Sequence, residues 1–455
     1  MKLKNRDFFR KFKFTPVQVI AIGFAITILI GATILTFPIS SAKGEFTPYI
    51  DCVFTATSAV CVTGLVTVDT GTHWSYFGKT VIVMLIQVGG LGFMSFATLG
   101  ALLVGKKITL KERLIMQESL NANSLQGVVK LVKYILIFTF SIELLGAILL
   151  STQFIPEFGI VKGLYFSLFH SVSAFCNAGF DLMGNYQSLV GYYNNSVVIL
   201  TVSSLIAIGG LGFIVWDEIY NYKKIKRLSL HSKVVISMTV ILIVSGTILF
   251  FIFEFNNPET MQPMSLKGKM LSSIFASISP RTAGFNSINL PVMTSASTLL
   301  TIILMFIGGS PGSTAGGIKT STFGILLMTV ISVIRGREDT EYFKKRINKD
   351  IVYKAIAVIV VGLGIVFTVT MVLSFTERGS GYPFEYYLYE ATSAFGTVGL
   401  TLGLTQKLTA FGKILVALTM YAGRVGPLTL AIAITVRKNN KGNSIRYPED
   451  KILVG

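Results

Sequence analysis

IGGSPGSTAGGIKT, residues 307–320, interrupts a long apolar run, and this interruption limits the architectures that the chain can adopt. The run extends from about residue 297 to residue 334, well beyond the ~20 residues that a spanning helix needs. Glycine, serine and proline break helices, and lipid offers no partner to the freed backbone groups, which must face protein or a water-filled cavity. Lys319 adds a charge that hydrocarbon tolerates poorly. The segment therefore predicts a loop that faces a wet pathway through a membrane.

The composition is typical of a membrane protein with many spans. Of the 455 residues, 52% are hydrophobic and only 14% are charged, and the mean hydropathy is +0.67. These values exclude an ordinary soluble domain. The N-terminal segment, Met1 to Phe14, is basic, but the apolar run after it does not end in the small-residue cleavage site of a signal peptide. We therefore expect the first apolar segment to be retained as a membrane span. The cysteines and histidines follow no disulfide or metal-ligand spacing, and we assign no redox or metal role to Cys52, Cys61, Cys176, His73, His170 or His231.

The net charge of +18 is distributed in a way that indicates membrane topology. About 29 of the 40 lysines and arginines lie in five clusters, whereas 8 lie in the alternate connections. By the positive-inside rule the clusters are cytoplasmic, which places both termini inside the cell. We therefore expect a lipid bilayer as the partner of these charges, and no nucleic acid. The clusters are residues 2–13, 106–133, 223–233, 335–354 and 437–451.

Four short segments resemble one another and recur at a near-constant period. They are SAVCVTGL (58–65), SAFCNAGF (173–180), SPRTAGF (279–285) and SAFGTVGL (393–400). Their glycines are separated by 115, 105 and 115 residues, and are Gly64, Gly179, Gly284 and Gly399. A pair of small residues, Gly-Gly or Ala-Gly, also follows each glycine in the next apolar run. These pairs are Gly89-Gly90, Gly209-Gly210, Gly308-Gly309 and Ala422-Gly423. This double periodicity predicts four copies of one structural unit.

Each copy contains a long apolar run, a short Ser/Thr-rich amphipathic stretch and a second long apolar run (M1–P–M2). The short stretch has ~14 residues and cannot span a membrane, so it predicts a re-entrant helix. We predict an all-α polytopic membrane protein with four pseudo-repeated units around one pore, eight spans and four re-entrant helices. The predicted segments are a cytoplasmic N-terminal segment (1–16), repeat 1 (17–104), a cytoplasmic linker (105–130), repeat 2 (131–220), a linker (221–233), repeat 3 (234–334) with an intramembrane loop (307–320), a linker (335–350), repeat 4 (351–436) and a cytoplasmic tail (437–455).

The loops after the four short helices have the composition of a cation filter. Small side chains leave a narrow lumen open, and glycine lets backbone carbonyls turn inward. Four such loops around one axis would form a ring of oxygens that replaces the hydration shell of potassium, and the helix C-termini favour a cation. A ring for anions would need Arg or Lys, and only Arg281 is near. The candidate filter residues are Val62, Thr63, Gly64, Asn177, Ala178, Gly179, Thr282, Ala283, Gly284, Thr397, Val398 and Gly399.

The intramembrane loop is the candidate gate. It nearly matches a phosphate-binding loop, but one residue separates the last glycine from Lys319 and no soluble βαβ setting is present, so we expect no nucleotide there. We interpret it as a segment that blocks the pore below the filter, with a break that we expect only in repeat 3. The glycine pairs elsewhere are interpreted first as helix-packing contacts. The candidate gate residues are Gly308, Gly309, Ser310, Pro311, Gly312, Ser313, Thr314, Ala315, Gly316, Gly317, Lys319 and Arg424.

Lone charges inside the apolar runs are candidates for function. Arg424 is either a tie to helix-end carbonyls or an electrostatic barrier below the filter, and we favour the barrier. Glu143 is the candidate counter-charge of Arg424. Asp51 and Glu390, in the short amphipathic stretches, either lower the potential at the outer mouth or serve as caps and pairing partners.

Several motifs carry a family resemblance: FTPVQVIAIGF (14–24), PRTAGFN (280–286), FGTVGLT (395–401) and YAGRVGPLT (421–429). Through them, and over essentially its whole length, the chain resembles the Ktr/Trk/HKT superfamily of potassium transporters, most closely the membrane subunit of bacterial Ktr systems. The resemblance implies a bacterial cell-membrane protein in which one glycine per loop carries the filter. Because Gly64 stands where some plant relatives have a serine associated with sodium permeability, it also implies potassium selectivity. It further implies that Arg424 faces the loop of repeat 3 and helps to gate the pore.

The resemblance also implies partners. These are a second copy of the chain in a homodimer and a cytoplasmic RCK-type regulatory ring that binds the nucleotide, so that this chain needs no covalent cofactor. K+ is the permeant ion and Na+ a candidate activator. The basic linkers 105–113 and 222–233 are either docking surfaces or ordinary lipid anchors. The tail, 445–455, is the candidate dimer contact.

We therefore predict a membrane subunit of a potassium uptake system and no enzyme, because no nucleophile and base pair is recognisable. The alternative is a cation-coupled secondary transporter, a K+/Na+ or K+/H+ symporter. That mechanism calls for an intramembrane carboxylate, for which Glu143 is the main candidate.

Overall fold

The computed structural model describes residues 15–92, 95, 98, 108–119 and 127–426. The predictions for the N-terminal segment, for the docking surface at 105–113 and for the dimer contact at 445–455 lie wholly or largely outside these residues. Within them the chain is mainly helical, and the same three helices recur in each of four repeats: a long first helix, a short helix and a last helix.

The four first helices are the longest in the described part of the chain. The shortest has 21 residues and is about 30 Å long, which matches the thickness of a hydrocarbon core. It starts at a capping box in which the Thr15 side chain and the Gln18 side chain satisfy each other's backbone N–H groups, with Pro16 at the first helical position. The first helices are Pro16–Thr36, Val128–Phe158, Leu230–Glu254 and Lys349–Thr376.

The four short helices contain 12 to 16 residues, and most residues of their C-terminal halves are buried. At about 1.5 Å per residue they reach only part of the way across a bilayer. Each carries a fully buried aromatic ring, and these are Phe54, Phe169, Phe275 and Tyr389. The short helices are Tyr49–Val60, Ile160–Phe175, Leu266–Ile278 and Phe384–Gly396.

The four last helices begin at equivalent caps and are shorter than predicted. In each, a polar side chain at the N-cap accepts hydrogen bonds from backbone N–H groups of the first turn. The caps are Ser75, Asn195, Thr294 and Thr409. The helices are Tyr76–Leu91, Ser196–Gly210, Ser295–Phe306 and Ala410–Val425.

The expectation that only repeat 3 contains a break was wrong. In repeats 1, 2 and 4 the last helix stops just before a glycine with positive φ: Gly92 (80°), Gly212 (94°) and Gly426 (96°). In repeat 2 a further helix, Phe213–Tyr220, continues at an angle of 96°. Repeat 3 continues as Thr320–Ile334 after the loop. By length and composition, the described residues contain four membrane-spanning helices, or five if the bent pair is one span, so the count of eight spans stays a prediction.

A polar side chain at the end of the first helix supports the start of the last helix in three repeats. Glu254 accepts hydrogen bonds from the N–H (2.9 Å) and hydroxyl (2.8 Å) of Thr294. Glu377 accepts in the same way from Thr409, at 3.1 and 2.5 Å. In repeat 2 the pair is Gln153 and Asn195, at 3.0 Å. These bonds fix the two long elements of each repeat side by side.

The remaining elements are short and lie within the repeats or between them. An antiparallel hairpin, Glu341–Tyr342 with Lys345–Arg346, links repeats 3 and 4. The other helices are Thr70–His73, Leu110–Ser119 and Tyr222–Ile225, with 3₁₀ turns at Pro38–Ser40, Val190–Tyr192, Leu290–Val292, Arg378–Ser380 and Thr405–Lys407.

Candidate functional site

The four loop glycines lie together around one axis. If a Cβ atom is added to each glycine, it comes close to a backbone carbonyl oxygen of the next repeat. This oxygen belongs to the residue before the filter glycine of that repeat, and the order 1, 2, 3, 4 closes on repeat 1. The contacts are Gly64 with Ala178 O (2.5 Å), Gly179 with Ala283 O (2.8 Å), Gly284 with Val398 O (2.5 Å) and Gly399 with Thr63 O. Only a residue without a side chain fits at these four positions.

The four loops share one backbone conformation. The filter glycines have φ of 95°, 70°, 80° and 95°. Two residues earlier each loop has a non-glycine residue with positive φ: Val62 (57°), Asn177 (60°), Thr282 (75°) and Thr397 (51°). Such a conformation costs an L-residue about 1–2 kcal/mol and persists where the surrounding structure imposes it. Its recurrence at four equivalent positions indicates a common function for the backbone of these loops.

A buried serine holds each loop from behind, a role that was not among the predictions from the sequence. In repeats 1 and 4 the hydroxyl accepts a hydrogen bond from the N–H of the filter glycine: Ser58 from Gly64 (3.0 Å) and Ser393 from Gly399 (3.1 Å). In repeats 2 and 3 it donates to the carbonyl of the residue after the glycine: Ser173 to Phe180 (2.7 Å) and Ser279 to Phe285. The signal was available, because a serine begins all four repeated segments.

Two separate cavities, which share no lining residue, contain the filter glycines and several candidate gate residues. The first has a volume of about 350 Å³ and is lined by all four filter glycines together with Asp69 and Asp181. The second has a volume of about 240 Å³, and Gly90, Lys319 and Arg424 are among its lining residues. Both are large enough for several water molecules. The four filter glycines thus line one cavity, and several candidate gate residues line the other.

The loop 307–320 packs against repeat 2. The Ser310 N–H donates to Gly210 O (2.9 Å), and the Thr314 N–H donates to Gly209 O (3.3 Å). The Thr314 hydroxyl donates to the carbonyl of Phe175, the last residue of the short helix (3.2 Å). The loop follows a helix, Ser295–Phe306, rather than the strand that a phosphate-binding loop requires. The hydrogen bond of Thr314 therefore anchors the loop to the C-terminal end of the short helix of repeat 2.

Arg424 connects this loop to repeat 1. Its guanidinium donates to the carbonyls of Thr314 and Gly89, with a longer contact to Gly90 O at 3.4 Å. Lys319 donates to Ala315 O at 2.6 Å, so two cationic side chains bind carbonyls of the same loop. Gly89 and Gly90 belong to the last turn of a helix, which is the tie to helix-end carbonyls that we considered as the alternative to a barrier.

The glycine pairs make the packing contacts that we expected, but their register in repeat 4 was wrong. A Cβ on Gly89, Gly209 or Gly423 would meet a backbone carbonyl near the C-terminus of the short helix of the same repeat. Gly423 is therefore equivalent to the first glycine of each pair, and Arg424 to the second. The sequence shows this in GGLG (89–92), GGLG (209–212) and GRVG (423–426).

The other lone charges have partners. Glu143 is buried and contacts the Gln87 amide (3.2 Å) and the Cys176 thiol (3.8 Å), while the described residues contain no ion pair between Glu143 and Arg424. The structure therefore does not support Glu143 as the counter-charge of Arg424. Asp51 forms an ion pair with Lys413 at 2.6 Å, which joins repeat 1 to repeat 4.

The comparisons with known proteins agree with this architecture. Residues 10–445 match the TrkH family, described as cation transport protein. The potassium/sodium uptake protein NtpJ of Enterococcus hirae is 46% identical over 446 residues, which cover 97% of this chain and 98% of that protein. The Ktr system potassium uptake protein B of Bacillus subtilis is 44% identical over 455 residues, 100% of both chains. Among solved structures, the potassium transporter TrkH of Vibrio parahaemolyticus matches with a TM-score of 0.70 over 92% of this chain and 84% of that one, at 14% identity, which is a likeness of fold.

Proposed function

The chain belongs to the TrkH family of cation transport proteins, and from this premise we propose that it is the membrane subunit of a potassium uptake system. The observation that carries the proposal is the closed ring in which each filter glycine faces a carbonyl oxygen of the next repeat. The names of the two similar bacterial proteins support potassium as the ion, although one of them includes sodium.

We propose that the ring selects the ion by replacing its water. The residues before the glycines (Thr63, Ala178, Ala283, Val398) each supply one carbonyl oxygen to a dehydrated cation. The glycines make room for these oxygens, since any side chain would meet the neighbouring loop. The short helices end just before the loops, so the negative ends of their dipoles favour a cation at the same place. One ring offers fewer oxygens than a long filter, and we expect looser discrimination than in a tetrameric potassium channel.

The gate in this proposal is the loop 307–319 together with Arg424. The positive guanidinium and the Lys319 ammonium line the cavity on the inner side, where they repel an arriving cation. The three carbonyl contacts of Arg424 hold the loop against repeat 1. Opening requires these contacts to break, and the glycines at 312 and 317, with φ of 66° and 62°, allow the backbone to rearrange.

Control of the gate is assigned to a cytoplasmic partner. The Ktr system name of the relatives implies a system of several components. We propose an RCK-type ring that binds the nucleotide, with this subunit as a homodimer in the cell membrane and both termini in the cytoplasm. The charge distribution supports this orientation. Na+ remains a candidate activator.

A coupled symporter is the second candidate, and the buried carboxyl of Glu143 is the observation that favours it. Glu143 lies beside Cys176, which directly precedes the second filter loop. A carboxyl at this depth that gained and lost a proton, or bound a second cation, would couple potassium to another gradient.

The test uses the purified protein in liposomes with rubidium as a tracer for potassium. A gated passive pathway gives flux along the potassium gradient alone, and deletion of residues 312–317 raises that flux. A symporter requires a sodium or proton gradient, and Glu143→Gln abolishes its transport. Flux that is absent under every gradient, with the folded protein in the membrane, overturns both candidates. Rescue of a potassium-uptake-deficient cell, with and without an RCK partner, tests the regulatory part.

A further inference from the structure

Glu390 is a buried carboxylate placed behind the fourth filter loop. It lies on the short helix of repeat 4, nine residues before Gly399, and its exposed fraction is 0%. One carboxylate oxygen accepts a hydrogen bond from the Thr401 hydroxyl at 2.7 Å, and the other accepts from the Thr405 hydroxyl. Both oxygens thus hold the segment that leaves the filter.

Within the residues that the structure describes, this carboxylate forms no ion pair with a lysine or arginine. Removing a carboxylate from water without a counter-charge is unfavourable, and an apolar residue would fill the same space at no such cost. A function in the pathway accounts for its position better than packing does.

The bonds of Glu390 extend to the mouth of the filter. Thr401 donates to Glu390 and also accepts from the Gly403 N–H at 3.1 Å. Gly399, Thr401 and Gly403 all line the first cavity, which also contains the other three filter glycines. A displacement of Glu390 would therefore change the position of residues that an entering ion contacts.

The equivalent positions in repeats 1 and 2 carry other side chains. In repeat 2 the residue nine before the filter glycine is His170, whose ring accepts a hydrogen bond from the Leu182 N–H at 3.3 Å. In repeat 1 it is Thr55, whose buried hydroxyl has no hydrogen-bond partner in the structure. Among these three positions, the support carries an acidic group only in repeat 4.

We propose that Glu390 is a positioning residue that sets cation discrimination through the fourth filter loop. The inference rests on the proposed function, since it assumes that the ring of four loops selects the ion. The carboxylate acts in two ways. It fixes Thr401 and Thr405, and it places a negative charge beside the outer end of the filter, where it stabilises a dehydrated cation.

The experiment compares Glu390→Gln with a matched control, Glu377→Gln. Glu377 is also a buried carboxylate that accepts from a threonine, but it supports the start of the last helix and does not contact the filter segment. Each variant is reconstituted in liposomes, and the potassium and sodium concentrations that each inhibit tracer uptake by half are measured. The ratio of these two concentrations is the discrimination ratio. The melting temperature of each variant is measured as well. Thr405→Val removes one of the two bonds and leaves the charge in place.

We expect Glu390→Gln to reduce the discrimination ratio about tenfold, which is the lower end of what one hydrogen bond to a charged group contributes. Thr405→Val should change the ratio in the same direction, and the double variant should show less than the product of the two effects. Glu377→Gln should lower the melting temperature with the ratio unchanged. An unchanged ratio in Glu390→Gln, or independent effects of the two substitutions, overturns the proposal.

If Glu390→Gln does not fold, the ratio measured for Thr405→Val decides the question alone. Wild-type protein that passes no potassium contradicts the proposed function itself. A selective wild type with unchanged selectivity in the variants contradicts only the role of Glu390.

Discussion

Replacing the first filter glycine with serine is the most direct test of the ring. Gly64 has φ of 95°, and a Cβ at this position would lie 2.5 Å from the carbonyl oxygen of Ala178 and 3.1 Å from the Cα of Gly179. These neighbours are backbone atoms of another filter loop, so they cannot move aside like the end of a flexible side chain. Gly64→Ser must therefore displace the first loop, the second loop or both.

The size of the effect follows from the backbone conformation. A left-handed conformation costs an L-residue about 1–2 kcal/mol, and the close contact adds to that strain. The loop relieves the strain by rotating, and the rotation moves the Thr63 carbonyl away from its position in the ring. About 1.4 kcal/mol lost from potassium binding corresponds to a tenfold change. We therefore expect the preference for potassium over sodium to fall about tenfold.

The assay measures tracer uptake into liposomes at varied external potassium and sodium, which gives the discrimination ratio separately from the amount of active protein. Gly44→Ser is the control, because Gly44 also has a positive φ (70°) but no atom lies within 4 Å of its Cβ position. The control separates backbone strain from contact with the second loop. A ratio that is the same in Gly64→Ser and wild type would show that the ring does not select the ion.

Three further predictions test the gate and the joints between repeats. Arg424→Ala should raise tracer flux several-fold because the side chain ties the loop to repeat 1, and flux equal to wild type would exclude it from the gate. Asp51→Asn should lower the melting temperature in detergent, since it leaves the Lys413 ammonium largely buried and without its ion-pair partner. Loss of one partner of a fully buried pair costs about 3–5 kcal/mol. We expect a smaller cost here, because the Lys413 and Asp51 side chains are 16% and 12% exposed. Equal stability of this variant and the double variant Asp51→Leu, Lys413→Leu would contradict that reason. Gly209→Ala should reduce the yield of folded protein, because its Cβ would meet a backbone carbonyl, whereas Gly191→Ala, with open space around it, should not; similar yields would refute the packing argument.

The sequence was sufficient to predict the fourfold architecture and the four filter loops. A short amphipathic stretch before a glycine can adopt few structures inside a membrane, and the same stretch occurs four times. The short helix of repeat 4, Phe384–Gly396, has 13 residues, close to the length predicted for the short stretches. The predicted roles of the filter and gate residues stay predictions, because they concern ions and motion.

The breaks in the last helices could not be predicted from hydropathy. The residues on both sides of Gly92 and Gly212 are apolar, so a window average continues across each break. A glycine inside a helix and a glycine that ends one give the same signal in composition. The repeated GGLG was the available clue, and it required an alignment of the repeats rather than a hydropathy profile.

Contacts between residues that are far apart in the chain also could not be predicted from the sequence. Asp51 and Lys413 are 362 residues apart, and nothing in their surroundings indicates that they pair. The same is true of Glu143, whose partners on other elements, Gln87 and Cys176, are uncharged. Pairing of this kind depends on the order of the repeats around the axis, which the one-dimensional pattern does not contain.

Arg424 stands where the other three repeats have glycine, and this has a consequence for how such a conduit can open. In an assembly of four identical subunits, every lining residue is present four times, and four guanidinium groups would crowd and repel one another. In a single chain of four repeats, Arg424 is present once, and the equivalent positions of the other three repeats carry glycine, which has no side chain. In the proposed gating, release of the loop then needs the displacement of one short segment and no concerted movement of all four repeats.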